Sequence, residues 1–393
     1  MKFKIFLCLS VVMLIGSFAT AQIPCGLTVI PAATLSVNWP QFHFDPNHSG
    51  CNPYESMIGS NIVGNLTLAW EYETIGQIEG SPVVANGMVY IGSQDYNLYA
   101  LNATTGALVW KYYTGYRADY SPAVANGIVY THYEDQNSGV VYTVALDAGT
   151  GTEVWKTQIT EFGSLSTPTV VNGVLYENTD RQIAALDAKT GYILWVSDDI
   201  DASANSVASV ANGVVYAITY DGYLYAFDAA TGKVLWNVYV NERGEAVAVV
   251  NGVLYASNDG LLAINAKTGA LIWSFFVGPT QCNLSVACGP AVADGVVYAQ
   301  DLTATYAFNA ITGAPLWMTR IAGTGSSPAV ANGVVYIGAG YDNNIYALDA
   351  HTGAVLWKYT TGAAVNSSPV IANGMVYTGS EDGNVYAFHL PGH

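Results

Sequence analysis

The stretch LNATTGALVW at residues 101–110 decides the architecture, because it recurs along most of the chain. Its other copies are LDAGTGTEVW at 146–155, LDAKTGYILW at 186–195, FDAATGKVLW at 227–236, INAKTGALIW at 264–273, FNAITGAPLW at 308–317 and LDAHTGAVLW at 348–357. In all seven copies a Thr-Gly pair is followed by a Trp four residues after the Gly. Such self-similarity at a fixed period indicates a repeat architecture.

Around each copy the sequence has the chemistry of β-strands. Apolar residues alternate with small or polar ones, and Val, Tyr and Ile are abundant. In the first unit, turns at 86–87, 93–97 and 103–106 separate four strands, which we name A to D from the inside outward. The A–B turn signal, Asn-Gly or once Asp-Gly, occurs eight times, at 86, 126, 172, 212, 251, 294, 332 and 373. The sequence therefore predicts an all-β, eight-bladed β-propeller of four-stranded antiparallel blades.

The last unit lacks one strand. Residues 368–390 supply strands A to C but contain no Trp and therefore no Thr-Gly-x-x-x-Trp element, whereas LTLAWEY at 66–72 has the composition of a strand D. We expect this N-terminal strand to complete the last blade and close the ring, because an open ring would expose an aggregation-prone edge. The predicted domains are a signal peptide at 1–21, a non-repeating extension at 22–62 and the propeller at 63–393.

The repeated element is predicted to be structural. A large Trp in strand D and a small Ala in strand C suggest a large-into-small fit between blades. The Asp or Asn in the element is expected to accept hydrogen bonds from the turn that follows, and not to act in catalysis. The predicted structural tryptophans are Trp70, Trp110, Trp155, Trp195, Trp236, Trp273, Trp317 and Trp357.

The N-terminus has the features of a secretory signal. Lys2 and Lys4 precede an apolar run that ends in a small-x-small site at 19–21, so the mature chain is expected to begin at Gln22. The run is too short to predict a membrane span, and Pro24 before Cys25 makes a poor lipoprotein signal. We therefore expect a secreted or periplasmic monomer with no membrane span.

Composition narrows the partners and the redox state. With 12 basic and 29 acidic residues the net charge is −17, which argues against nucleic-acid binding. The mature chain has four cysteines, Cys25, Cys51, Cys282 and Cys288, and an even number in an exported protein suggests disulfides. Proximity favours Cys25–Cys51 and Cys282–Cys288, although three pairings are open. His43, Asp45 and His48 lie in a Pro- and Asn-rich stretch expected to be loop, and no metal site is predicted.

The element A-x-[DN]-x-x-T-G-x-x-x-W resembles the tryptophan-docking repeat of quinoprotein-type propellers, the PQQ-like repeat family, over residues 66–390. One branch of that family comprises quinoprotein alcohol dehydrogenases, and another comprises non-catalytic scaffolds of the BamB type. The first branch implies PQQ with calcium, bound near a vicinal Cys pair and an Asp base. This chain has no adjacent cysteines, so no cofactor and no catalytic residue is predicted, and PQQ with calcium remains the alternative.

The topology of a blade indicates where a ligand would bind. The A–B and C–D turns lie at one end, the turn end, and are short and repetitive. The B–C turns and D–A loops lie at the other, the loop end, where the variable segments gather and function tends to reside. Each B–C turn contains an Asp, at 95, 135, 180, 221, 259, 301, 342 and 382, which either serves the turn or attracts cations. The candidate ligand residues are Arg117, Asp119, Arg181, Arg243 and Glu245, which either bind an anionic or hydroxylated ligand or form structural ion pairs.

The sequence thus favours a binding or scaffold module for an unknown protein or small-molecule ligand at the loop end. The alternative is a PQQ-dependent oxidoreductase acting on an alcohol or a sugar. A carbohydrate-binding propeller is a third interpretation, suggested only by the abundance of Tyr.

Overall fold

A computed structural model of the chain describes residues 38–160, 166–179, 181–198, 200, 206–219, 221–240, 246–257, 260–275, 289–321, 323 and 325–392. The chain begins, within these residues, with β1 (Cys51–Asn52), a 3-10 helix (Val63–Asn65) and β2 (Thr67–Glu73). Blades 1 to 4 follow as β3–β6 (Val83–Ala85, Met88–Ser93, Asn97–Asn102, Leu108–Tyr113), β7–β10 (Ala123–Ala125, Ile128–Glu134, Val141–Asp147, Glu153–Thr160), β11–β14 (Thr169–Val171, Val174–Asn178, Ile183–Asp187, Ile193–Val196) and β15–β18 (Ser209–Ala211, Val214–Ile218, Tyr223–Asp228, Val234–Tyr239).

The second half of the ring repeats the pattern. Blades 5 to 8 are β19–β22 (Ala248–Val250, Val253–Ser257, Leu261–Asn265, Leu271–Phe275), β23–β26 (Ala291–Ala293, Val296–Gln300, Thr305–Asn309, Pro315–Thr319), β27–β30 (Ala329–Ala331, Val334–Ala339, Asn344–Asp349, Val355–Thr360) and β31–β33 (Val370–Ala372, Met375–Gly379, Asn384–His389). Each blade is an antiparallel sheet, and β2 is the outer strand of blade 8, in the order β2-β33-β32-β31. The predicted eight-bladed fold and its closure by the N-terminal strand are confirmed.

The strand-A hairpins form because their turn residues tolerate a left-handed backbone. Asn86 and Gly87 have φ values of 53° and 77°, which match the two-residue turn that joins right-twisted strands. The other seven A–B turns also have positive φ values at both turn residues. Strands A to C of each blade are mostly buried, whereas strand D is largely exposed, so the core lies between the inner parts of the blades.

The tryptophans join each blade to the next. Trp110 Nε1 donates a hydrogen bond to the Ala148 carbonyl oxygen at 3.0 Å, and Tyr90 Oη donates to the same oxygen at 3.0 Å. A Cβ built on Gly151, of the next Thr-Gly pair, would lie 2.7 Å from the Trp110 ring. Strand-C Ala100 instead lies opposite Trp110 in its own blade. The small residue under the ring is therefore the Gly of the next blade, which differs from the expected fit against the strand-C alanine.

The same docking recurs around the ring. The other indole hydrogen bonds run from Trp70 to Ala103, Trp155 to Ala188, Trp195 to Ala229, Trp273 to Ala310, Trp317 to Ala350 and Trp357 to Leu66. For Trp236, the ring lies over Gly269, where a Cβ would approach to 2.9 Å. The seam between blades 7 and 8 is the exception, because Leu66 replaces the missing Thr-Gly element there.

The segment before the propeller fills the central channel, and we call residues 38–52 the N-terminal plug. Its backbone oxygens accept hydrogen bonds of 2.7–2.8 Å from the second residue of strand A in six blades, as Trp39, Pro40, Pro46, Asn47, Ser49 and Gly50 bond to Val84, Val124, Val210, Val249, Val292 and Val330. In blade 3 the acceptor is Gln41 Oε1, and in blade 8 Asn52 Nδ2 donates to the Ile371 oxygen at 2.7 Å. The stretch is mostly loop, as expected, and in addition it satisfies the inner strand edges of all eight blades.

Close packing makes the plug part of the core. Trp39, Phe42, His43 and His48 are all buried. His48 Nδ1 lies 2.9 Å from Ser209 Oγ, and its Nε2 lies 3.2 Å from Thr169 Oγ1, so its ring bridges blades 3 and 4. The histidines of this stretch thus pack within the core of the propeller.

Candidate ligand-binding site

The loop end is held together by bonds between D–A loops and B–C turns. The Ile75 backbone N–H donates to Asp95 Oδ2 at 3.3 Å, and the Gly362 N–H donates to Asp382 Oδ2 at 2.6 Å. Asp95 also accepts from Tyr99 Oη at 2.5 Å. Asp135, Asp221, Asp301 and Asp342 likewise accept hydrogen bonds within their turns, and Asp180 and Asp259 lie outside the described residues. The described Asp residues of the B–C turns therefore stabilise these turns and the adjoining loops through hydrogen bonds.

Two of the candidate ligand residues are brought together. Arg117 and Asp119 share the D–A loop between blades 1 and 2, and Arg117 Nε lies 3.6 Å from Asp119 Oδ2. The Arg117 side chain is 45% exposed, whereas Asp119 is only 6% exposed. Arg181 is exposed in the B–C turn of blade 3, one blade further along, and Arg243 and Glu245 lie outside the described residues. A ligand role for any of them remains a prediction.

Two further carboxylates, Glu79 and Glu381, come from adjoining loops, and the charge of Glu79 acts on both Asp119 and Glu381. We call Glu79, Asp119 and Glu381 the acidic mouth. Glu79 precedes strand A of blade 1 and is 8% exposed, and Glu381 lies in the B–C turn of blade 8. Gln94 Nε2 donates to Glu79 Oε1 at 2.9 Å, and Asn366 Nδ2 donates to Glu381 Oε1 at 2.5 Å. Glu79 Oε2 and Asp119 Oδ1 are buried and accept no hydrogen bond from the described residues.

The acidic mouth concentrates negative charge. Burial raises the pKa of Asp119 to about 6 and Glu79 raises it further, whereas Arg117 and a side-chain hydrogen bond from Gln94 act in the opposite direction. Burial and the nearby Glu79 also raise the pKa of Glu381. Buried carboxylate oxygens are ordinarily paired or hydrogen-bonded. The electrostatic field here therefore favours a cation, and not the anionic ligand that Arg117 suggested.

A chain of serines lies beside the acidic mouth, just before strand A of successive blades. The Ser81 N–H donates to Ser121 Oγ, the Ser368 N–H donates to Ser81 Oγ, and the Ser327 N–H donates to Ser368 Oγ, each at 3.0 Å. These bonds link blades 7, 8, 1 and 2. They fix the blades that carry the three carboxylates, so the site rests on rigid elements.

A second cluster of polar groups lies between blades 2 and 3. His132 Nε2 lies 3.1 Å from Glu177 Oε2, and both side chains are buried. Thr143 Oγ1 is 2.7 and 2.8 Å from the two Glu177 oxygens. In a nucleophilic triad the hydroxyl would bond to the histidine, whereas here it bonds to the carboxylate. This cluster therefore serves to satisfy a buried Glu and has no nucleophile.

The turn end contains a cavity of about 710 Å³ between blades 5 and 6. Phe44, Asp45 and Cys51 of the plug line one side of it. The predicted Cys25–Cys51 disulfide would bring residues around Cys25 to this cavity, so its occupant depends on a segment outside the described residues. Cys282 and Cys288 also lie outside, and both pairings stay predictions. We assign no ligand to the cavity.

Sequence reasoning found Asp119 but missed its two partners. Glu381 precedes the repeated Asp382, and the repeat drew attention to the Asp alone. Glu79 stands in a loop with no repeated feature, and only the closeness of successive D–A loops in a closed ring could have suggested its contact with Asp119. Among the described residues, no group of three or more His, Cys, Asp or Glu is arranged to hold a metal ion, and no helix is long and apolar enough to cross a bilayer.

The repeats of the chain match a known protein family. A family model described as outer membrane protein assembly factor BamB matches residues 67–141, 116–210, 199–327 and 303–390. The chain belongs to this family. BamB of Yersinia pestis is 33% identical over 158 residues, which are 36% of this chain and 39% of the relative. Tetrathionate hydrolase of Acidithiobacillus ferrooxidans is 30% identical over 168 residues, 37% of this chain and 32% of the relative. The matches thus span less than half of these relatives.

Solved structures of the BamB fold and of quinoprotein dehydrogenases both superpose on the chain. The quinohemoprotein alcohol dehydrogenase of Comamonas testosteroni has a TM-score of 0.74 at 17% identity and covers 91% of this chain and 81% of its own. BamB of Moraxella catarrhalis has a TM-score of 0.66 at 17% identity and covers 82% and 99% respectively. At this identity the likeness shows the shared propeller fold.

Proposed function

We propose that the protein is an exported binding or scaffold propeller that holds a protein partner at its loop end. The observation that carries this proposal is the contrast between the ends. At the turn end the plug fills the channel, whereas the loop end has the acidic mouth, with two buried carboxylate oxygens that accept no hydrogen bond from the part of the chain that the structure describes. Membership of the BamB family supports a role in protein contact.

Exposed side chains around the acidic mouth support a macromolecular partner. Tyr96 and Tyr116 stack with ring centres 6.5 Å apart, and both are exposed. Ile75, in the neighbouring D–A loop, is 94% exposed. Tyr supplies contact area together with a hydroxyl and is enriched at protein interfaces. An aromatic and apolar rim around a charged centre suits a polypeptide.

Crosslinking from matched positions tests the proposal. A photoreactive residue at Ile75 probes the loop end, and one at Ile311, which is 81% exposed in a C–D turn, probes the turn end. In the native envelope we expect a discrete product from position 75 that excess unlabelled protein abolishes, and none from position 311. Equal products from both positions, or a product from 311 alone, would overturn the assignment of the loop end.

A quinone-dependent oxidoreductase is the second candidate, favoured by the superposition on quinohemoprotein alcohol dehydrogenase. The vicinal Cys pair of that branch is missing from this sequence, and the described residues include no group of three acidic, His or Cys side chains arranged for a metal. The described residues therefore do not fit the quinone and its calcium ion. Addition of PQQ with calcium decides the matter: a saturable melting shift together with dye-linked alcohol oxidation would establish the enzyme.

A further inference from the structure

We infer that the acidic mouth binds the guanidinium or ammonium group of an Arg or Lys side chain from a polypeptide partner. The inference rests on the proposed function, which it makes specific. Glu79 and Asp119 are more than nine-tenths buried, and each has one buried oxygen that accepts no hydrogen bond from the described residues. A buried acceptor without a hydrogen bond lowers the stability of the folded state. Two such acceptors on neighbouring carboxylates therefore favour a donor with positive charge.

The arrangement of the acceptor oxygens favours an organic cation with several N–H groups. Gln94 occupies Glu79 Oε1 and Asn366 occupies Glu381 Oε1, so the remaining acceptors are spread over separate carboxylates that come from different loops. A guanidinium carries five donors in a rigid planar fork and can bond to several carboxylates at once. An ammonium group carries three donors and can do the same in a smaller volume.

The chain itself shows this chemistry at the rim of the site. The Arg117 guanidinium lies 5.8 Å from the centre of the Tyr116 ring while its Nε lies 3.6 Å from Asp119 Oδ2. The outer oxygen of Asp119 thus already faces an internal guanidinium, whereas its other oxygen, Oδ1, is buried and unbonded. Arg117 bonds to neither of the two buried oxygens, so a second cation would complete the arrangement.

The acidic side chains of the turn end provide a control, because their oxygens accept hydrogen bonds from their own turns. At the turn end Asp349 Oδ1 accepts a bond of 2.8 Å from the Thr352 N–H, and Asn102 accepts the equivalent bond from Thr105. An Asn at position 349 therefore retains the turn while removing one negative charge. The Asp349→Asn variant is the matched control for charge loss at the acidic mouth.

Calorimetric titration with acetyl-Arg-Arg-Arg-amide tests the inference, and the same peptide built from citrulline is the neutral isosteric control. We expect saturable binding of the arginine peptide and none of the citrulline peptide. Glu79→Gln and Asp119→Asn should each raise the Kd by about ten-fold, since one charge-assisted bond is lost. Asp349→Asn should leave the Kd unchanged.

Three results would overturn the inference. Equal weakening by Asp349→Asn would show attraction by net charge alone. Equal binding of the citrulline peptide would show that charge is not recognised. Saturable Ca²⁺ binding that displaces the arginine peptide and is lost in Glu79→Gln would assign the acidic mouth to a metal. If Glu79→Gln does not fold, Asp119→Asn carries the same comparison. Peptide binding without any crosslink at Ile75 would leave the acidic mouth established and refute the proposed function.

Discussion

At the turn end the chain fills its own channel, whereas at the loop end two buried carboxylate oxygens have no donor within the described ranges. The plug supplies an acceptor or donor to the inner strand of every blade. At the acidic mouth, Glu79 raises the pKa of Asp119, Gln94 donates a hydrogen bond to Glu79 and lowers the pKa of Asp119, and the partly exposed Arg117 lies 3.6 Å from Asp119. The difference indicates that one end is built for stability and the other retains unpaired groups, a feature typical of binding sites.

The buried histidines of the plug and the buried aspartates respond to acid in opposite ways. Burial lowers the pKa of His43 to about 4 and that of His48 to about 3. Below pH 6.5 the unfolded chain protonates these histidines first, so they reduce stability as the pH falls. Burial raises the pKa of Asp119 to about 6, so protonation of that residue adds stability as the pH falls. Asp45 in the plug, whose pKa burial raises to about 6, acts in the same direction as Asp119.

The largest effect is expected from crowding the plug. Gly50 has a φ of +67°, and a Cβ there would lie 2.7 Å from Ala291 Cβ. Gly50→Ala should lower the free energy of unfolding by about 2–4 kcal/mol, through left-handed strain and overpacking together. Gly87 has a φ of +77° with no atom near its Cβ position, so Gly87→Ala isolates the strain and should cost only about 1–2 kcal/mol. Urea unfolding of both variants measures the difference, and equal losses would show that the plug is loosely packed.

The fold was predictable because the repeat carries it. Asn-Gly turns, strand alternation and the Trp spacing each mark one element of a blade, and the missing eighth Trp identified the closing strand. The plug was not predictable in the same way. Its bonds run from its own backbone to strand backbones, and such bonds leave no pattern of side chains. The buried sequence WPQFHF was a weak signal, since aromatic residues beside prolines in an apparent loop suggest packing.

The site was predictable only in part, for a related reason. The choice of the loop end follows from topology, and Asp119 lay among the variable loops. Its association with Glu79 and Glu381 arises where loops of blades 8, 1 and 2 meet, and residues 381 and 79 are brought together only by the closed ring. The expected anionic ligand relied on Arg117, whose charge is outweighed by three carboxylates that sequence spacing does not place together.

A medium effect is expected at the acidic mouth. At pH 7 the folded state holds Asp119 ionised at a cost, because its pKa of about 6 exceeds the ordinary 3.8. Asp119→Asn should therefore raise the free energy of unfolding at pH 7, on the order of 1–3 kcal/mol. The advantage should shrink between about pH 6 and pH 4, where the wild-type residue becomes protonated in the folded state. Urea unfolding of both proteins at pH 7, 5.5 and 4.5 measures this difference in the free energy of unfolding. A difference that does not change with pH would show that ionised Asp119 does not destabilise the folded state.

The smallest effect concerns an unbonded group far from the acidic mouth. Tyr336 Oη is buried and accepts or donates no hydrogen bond among the described residues, because Leu66 replaces the turn that receives this hydroxyl at other seams. Tyr336→Phe should change the free energy of unfolding by at most about 1 kcal/mol, and toward greater stability. Tyr90→Phe removes a bond of 3.0 Å to Ala148 and should cost about 1 kcal/mol. Thermal melts compare the two variants, and titration with the arginine peptide should give the wild-type Kd for both. An altered Kd in Tyr336→Phe would mean that the Tyr336 hydroxyl and the acidic mouth are energetically coupled. An unchanged Kd would show that the unbonded Tyr336 hydroxyl is only a consequence of ring closure, whereas the acidic mouth is a ligand site.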